Sequence, residues 1–128
     1  MSQEILFVHD LQESPVTRKN YLEMLGFQVT LVRNTEECLK ALAQRKPALI
    51  LMDVLLEGQN GFQACRAIRE RVNAAEVPII LCSHIYRSRI YRDEASAAGA
   101  QRYLLLPVKH EDLGAAVTEL ASGPARTR

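Results

Sequence analysis

The 128-residue sequence predicts an α/β domain: a parallel sheet with helices on both faces. Short unbroken apolar runs recur along the chain, the form taken by strands buried on both sides. Each run is followed by a segment with apolar residues at helical spacing. The composition, 48% apolar and 24% charged, is that of an ordinary globular chain and argues against disorder.

In chain order, Ile5 to Val8 is the first strand and ends at His9-Asp10. Ser14 as N-cap and Pro15 at the first helical position open a helix. Leu22 and Leu25 give it an apolar edge, and Gly26 stops it. Phe27 to Val32, rich in β-branched residues, is the second strand. Thr35 caps the second helix, with Glu36 and Glu37 in its first turn and Leu39, Leu42 and Ala43 as its buried stripe, and Pro47 closes it. Ala48 to Met52 is the third strand and ends at Asp53. Glu57 to Gly61 is a loop by composition. Phe62, Cys65 and Ile68 mark the third helix, and Val77 to Cys82 is a fourth strand leading into Ser83-His84. A fourth helix lies between Ser88 and Ala98 and stops at Gly99. Tyr103 to Leu106 is the fifth strand, ending at Pro107. The fifth helix starts near Glu111 and carries Leu113, Ala116, Val117 and Leu120. One domain is expected over 1–121, with 122–128 a tail or the start of a linker.

Five such β-then-α units, joined by right-handed crossovers, favour the flavodoxin-like strand order 2-1-3-4-5. That order places a crevice at the C-terminal ends of strands one and three. Asp10 and Asp53 then meet there, with Ser83 on the neighbouring strand end. Two close carboxylates repel unless a proton or cation joins them, and magnesium, which prefers oxygen ligands, is the natural cation. A carboxylate so placed, beside a hydroxyl donor, is suited to accept a phosphoryl group.

Longer stretches carry a family resemblance. ILFVHD, ALILMDVLLEGQNGF, VPIILCS and AGAQRYLLLPVKHEDL together resemble the receiver domain of bacterial two-component response regulators, from about Ile5 to Leu120. The resemblance implies a CheY-like fold with Asp53 as phosphoacceptor, Asp10 and the backbone carbonyl of Leu55 as further magnesium ligands, and Ser83 as the hydroxyl that bonds the phosphoryl group. It implies that Tyr103 moves inward with Ser83, and that a cis bond precedes Pro107. It also implies a histidine kinase or phosphotransfer protein as donor, and a protein target or second copy bound by the helix 4–strand 5–helix 5 face. Ile90, Tyr91, Tyr103 and Val108 stand on that face, and no enzymatic activity is expected beyond the domain's own phosphotransfer and dephosphorylation.

Two positions depart from the family pattern: His9 replaces an acid, and Leu106 replaces the lysine before the proline. The formal charge of the strand-end set, −2, is kept by Asp10 and Asp53, but the cation for the phosphoryl group is gone. A hydrogen bond to a charged group contributes about 1.5–3 kcal/mol, so coupling of phosphorylation to shape is expected to weaken tenfold or more. Magnesium binding is expected to be weak. Lys109, beyond Pro107, reads as a solvated loop lysine. The alternatives are a phosphorylation-independent pseudo-receiver that acts as a docking module, a transition-metal site using His9 and His84, and a small flavodoxin-like cofactor protein. The acidic segment after strand one lacks the glycines and hydroxyls a flavin phosphate needs, and no nucleotide-binding glycine motif is present.

A net charge of +1 provides no general pull toward nucleic acid, and Asp93 and Glu94 blunt the field of Arg87, Arg89 and Arg92. No apolar run reaches the ~20 residues of a membrane span, and no signal peptide is expected. Cys38, Cys65 and Cys82 suit reduced thiols in a cytoplasm. One receiver unit accounts for the chain, so any output is expected in a partner or a further C-terminal part.

Overall fold

The unbroken apolar runs become strands with both faces covered. The computed structural model of the chain describes residues 3–9 and 14–122. The elements alternate throughout: β1 (Glu4–Val8), α1 (Val16–Met24), β2 (Gln28–Val32), α2 (Thr35–Gln44), β3 (Leu49–Asp53), α3 (Gly61–Arg69), β4 (Ile79–Ser83), α4 (Arg89–Ala98), β5 (Arg102–Leu105) and α5 (His110–Ala121). The strands form one sheet in the order β2-β1-β3-β4-β5, with all pairings parallel. This is the flavodoxin-like order expected. Among the described residues, no helix is long and apolar enough to cross a membrane.

The two-residue period of the strands divides the core into two layers. Leu6 and Val8 of β1 pack with Cys38 and Ala41 of α2, Phe62, Cys65 and Ile68 of α3, and Ala95 and Ala98 of α4. Ile5 and Phe7 point the other way, to Leu22 of α1 and Leu113 and Val117 of α5. All five residues of β3 and all five of β4 are buried. Each large side chain so enclosed contributes about 1.5–3 kcal/mol.

Several boundaries move by one or two residues. Ala48 lies before β3, and Val77 and Pro78 before β4, while Asp53 and Ser83 are the last residues of their strands rather than the first beyond them. The ladder continues past the apolar run because Val54 N–H still donates to Cys82 O at 2.9 Å. Helix α1 begins at Val16, one residue later than expected, with the Val16 N–H donating to Ser14 Oγ at 3.3 Å. Its stop is as read. Gly26, at φ +102°, donates to Glu23 O, and Phe27 N–H donates to Leu22 O, which satisfies the last carbonyls.

The cap of α2 is corrected to Asn34, whose side chain accepts from Glu37 N–H; Thr35 is already helical, and its hydroxyl donates to Gln59 Oε1. The buried stripe of α2 centres on Cys38 and Ala41, with Leu39 and Leu42 on its flanks and Ala43 exposed. Small residues at i and i+3 let the helix sit close to the sheet, and the leucines cover the seam. Burial pushes the Cys38 thiol up to about 12 and the Cys65 thiol up to about 11. All three cysteines are buried. Helix α5 starts at His110, and Ala116 and Leu120 flank a stripe made by Leu113, Gly114, Val117 and Ala121. The 122–128 segment, apart from Ser122, lies outside the described residues.

Candidate functional site

The strand ends converge as the topology requires. Asp53 closes β3 with 3% of its surface exposed, and Ser83 closes β4 with 4% exposed. The register pairs Asp53 with Cys82, so Ser83 stands one residue further along the adjacent strand. The Ser83 Oγ accepts from Ile85 N–H at 3.2 Å and Tyr86 N–H at 3.1 Å, which turns the start of the β4–α4 loop. Asp10 lies outside the described residues. The backbone ligand that the resemblance implies, Leu55, sits two residues past Asp53 on an exposed stretch of loop.

The Asp53 carboxylate is held by a residue that the sequence reading did not single out. Arg18 of α1 donates from Nη1 to Oδ1 at 2.8 Å and from Nη2 to Oδ2 at 3.1 Å. Only 7% of Arg18 is exposed, and its guanidinium lies 4.7 Å from the centre of the Phe7 ring. The planar fork of arginine matches a carboxylate with two parallel bonds, and the ring adds a cation–π attraction. A signal was available: Arg18 is four residues before the buried Leu22, so it lies on the same inward helix face. A cation on that face needs an anion, and the crevice rule places Asp53 within reach.

Leu106, the residue after β5, shows why no cation comes from this position. Its side chain is 5% exposed and packs with Phe7, Ile80 and Leu113 in the α1/α5 core layer. Its N–H donates to Ser83 O, its carbonyl accepts from Arg87, and the bond to Pro107 is cis, as the resemblance implied. Lys109 is exposed just before α5. His9 is half-buried with its ring edge-on to Phe7, whereas His84 is exposed. Among the described residues, no three or more His, Cys, Asp or Glu side chains gather to hold a metal.

Magnesium takes carboxylate oxygens in near-octahedral order. In this conformation both Asp53 oxygens accept from Arg18, so a metal reaching that carboxylate meets a guanidinium already bound to it.

Tyr103 is turned inward, 6% exposed, with its hydroxyl donating to Tyr86 O and its ring 6.2 Å from Phe62. Burial pushes its phenol above the ordinary tyrosine range, partly offset by a hydrogen bond with Ser83. Tyr103 therefore does not present its ring on the expected partner face. Tyr91 is half-buried against Tyr86 at 4.7 Å, Val108 is half-buried, and Ile90 is the exposed apolar residue there at 69%. Ile85 adds a second, at 55%.

Gly61 sets the close approach behind Asp53. A Cβ there would stand 2.8 Å from Asp53 O and 2.8 Å from Val54 Cα. The adjacent capping box, in which Asn60 and Gln63 exchange side-chain and backbone bonds, starts α3 against the strand end.

Comparison with known proteins gives one consistent result. Residues 5–118 match the family model of the response regulator receiver domain. The transcriptional regulatory protein GltR of Pseudomonas aeruginosa is 32% identical over 92% of this chain, which covers 48% of GltR. Protein PilH of the same organism is 29% identical over 93% of this chain and 98% of its own length. The receiver domain of a Pseudomonas aeruginosa sensor histidine kinase, solved with a magnesium ion in its active site cleft, superposes with a TM-score of 0.84 at 29% identity, covering 96% of this chain and all of that domain. The chain spans about half the length of the first curated relatives it matches.

Proposed function

The chain belongs to the response regulator receiver domain family, and from that premise we propose that it is a two-component signalling module whose phosphoacceptor is Asp53. The observation that supports this most is the burial of Asp53 at the end of β3 beside Ser83 at the end of β4. A carboxylate oxygen of Asp53 forms a bond to phosphorus as the bond from phosphorus to a donor histidine nitrogen breaks, and the imidazole departs with that electron pair. The domain's own residues position this transfer and the later hydrolysis, in which water attacks phosphorus, the bond to the Asp53 oxygen breaks, and inorganic phosphate and the free carboxylate are left. The donor is a histidine kinase or phosphotransfer protein in the cytoplasm, and transfer is inefficient because Leu106 supplies no cation. The exposed Ile90 of α4, next to Tyr91 in the helix, marks the face offered to a protein target or second copy.

The test is incubation of the folded chain with a small phosphodonor, followed by intact mass. The expected result is the gain of one phosphoryl group in the wild type and none in Asp53→Asn. A gain that persists in Asp53→Asn places the acceptor elsewhere.

A second reading is favoured by a specific observation. Arg18 engages both oxygens of Asp53, and Tyr103 is already inward. Both fit a module that docks without phosphorylation. A properly folded chain that gains no phosphoryl mass, yet loses self-association or target binding in Ile90→Asp, selects this reading.

A further inference from the structure

We propose that Arg18 is the resident counter-cation of Asp53, supplied from α1 in place of the β5 lysine, and that it competes with divalent metal for the same two carboxylate oxygens. The inference rests on Asp53 being the reactive carboxylate of the previous section, but its test reads the ion pair itself.

The contact has the marks of a built site. The two N–H···O bonds, at 2.8 and 3.1 Å, are of charge-assisted length and use the guanidinium as a fork. Both partners are more than nine-tenths buried, where a carboxylate without a counter-charge is strongly disfavoured. The arginine stem is fixed by its own helix, and the guanidinium sits over Phe7, a fully buried residue of β1. Helix, strand and ring together hold the charge at Asp53 without help from β5.

Asp53 carries one negative charge at the end of β3, and Leu106 supplies no cation to it. Arg18 supplies the matching positive charge, so Asp53 is neutralised locally. A metal that ligates Asp53 therefore crowds or displaces directed hydrogen bonds on the same oxygens, in addition to shedding its own water. The cation has moved from the end of β5, where Leu106 joins the core, to the inner face of α1.

The experiment titrates Mg2+ into the intact chain by calorimetry, with a cooperative thermal melt and circular dichroism to show the fold. Arg18→Met keeps an apolar stem and removes the fork; it should bind Mg2+ at least tenfold more tightly than the wild type. Its melting temperature should rise with Mg2+ while that of the wild type barely moves. Arg18→Lys keeps the charge without the fork and should fall between them. The gain should vanish in Arg18→Met/Asp53→Asn. A folded Arg18→Met that binds Mg2+ no better than the wild type overturns the proposal, as does a gain that survives Asp53→Asn.

If Arg18→Met does not fold, the wild type still decides the matter. Arg18 side-chain N–H resonances should be protected from exchange without metal and lose that protection as Mg2+ saturates; unchanged protection at saturation sinks the competition. Failure of the phosphoacceptor reading looks different, because Arg18→Met would then gain metal and still take no phosphoryl group.

Discussion

Arg18 and Arg69 are both drawn into the body of the fold, at opposite ends of the sheet. Arg69, in the last turn of α3, reaches the N-terminal ends of β4 and β5. It donates to Gly99 O at 2.9 Å, Val77 O at 2.7 Å and Gln101 Oε1 at 2.8 Å. Every one of those acceptors is neutral, and burial pulls the Arg69 guanidinium below its ordinary value. Arg18, at the other end, meets a carboxylate. The same side chain thus serves two ends differently: at one it satisfies carbonyls left over by loops, and at the other it cancels a buried charge. The first use is structural. The second puts a cation where phosphoryl chemistry would begin.

The comparison breaks most sharply at Arg18. Arg18→Met should cost about 3 kcal/mol in metal-free buffer, because it leaves a buried carboxylate without its partner. Urea unfolding measures this. Adding Asp53→Asn should recover much of the loss, since the double variant has no stranded charge; a double variant as unstable as the sum of the singles would mean that the two residues act independently. At the other end, Arg69→Met should cost about 2 kcal/mol by orphaning several carbonyls, and no nearby carboxylate substitution should restore it. Mg2+ should leave that loss unchanged.

A third arginine calibrates the scale. Arg45 reaches Glu4 with two bonds of 2.7 Å, but its side chain is 42% exposed. Its bond to Glu4 holds that carboxyl below the ordinary 4.5. The pair therefore adds stability above pH 4.5 that is lost as the pH falls through the lowered value. Glu4→Gln should remove that part of the acid dependence, at a cost below about 1 kcal/mol at neutral pH that shrinks with added salt. The Arg18–Asp53 pair, being buried, should respond far less to salt.

Much of the architecture could be read from one dimension. Strand order, the convergence of Asp53 and Ser83, and the stops at Gly26 and Gly99 follow from local chemistry and crossover handedness. Arg18 was harder to see because its partner lies 35 residues away. A lone arginine among Thr17, Lys19 and Asn20 also looks like any solvated helix residue. Only the phase set by Leu22 turns it inward. Thr35 failed as the cap for a similar reason, since Asn34 beside it is an equally good capping residue and backbone geometry selects between them. On α4, Ile90 and Tyr91 differ by one helix step. Tyr91 turns to stack beside Phe62 and Tyr86, and that rotation leaves Ile90 outside.

The loop between Asp53 and α3 is tied shut at its base. Gly61 N–H donates to Val54 O at 2.6 Å, and Val54 N–H is anchored to β4. In polymer terms the ends are fixed independently of the path between them. Lengthening the tip near Gly58 then adds only closure entropy, about 0.6 kcal/mol for each doubling of length. Residues could be inserted there, as an epitope or a fluorophore site, at the loss of little more than the contact of Gln59 with Thr35, while Asp53 keeps its place.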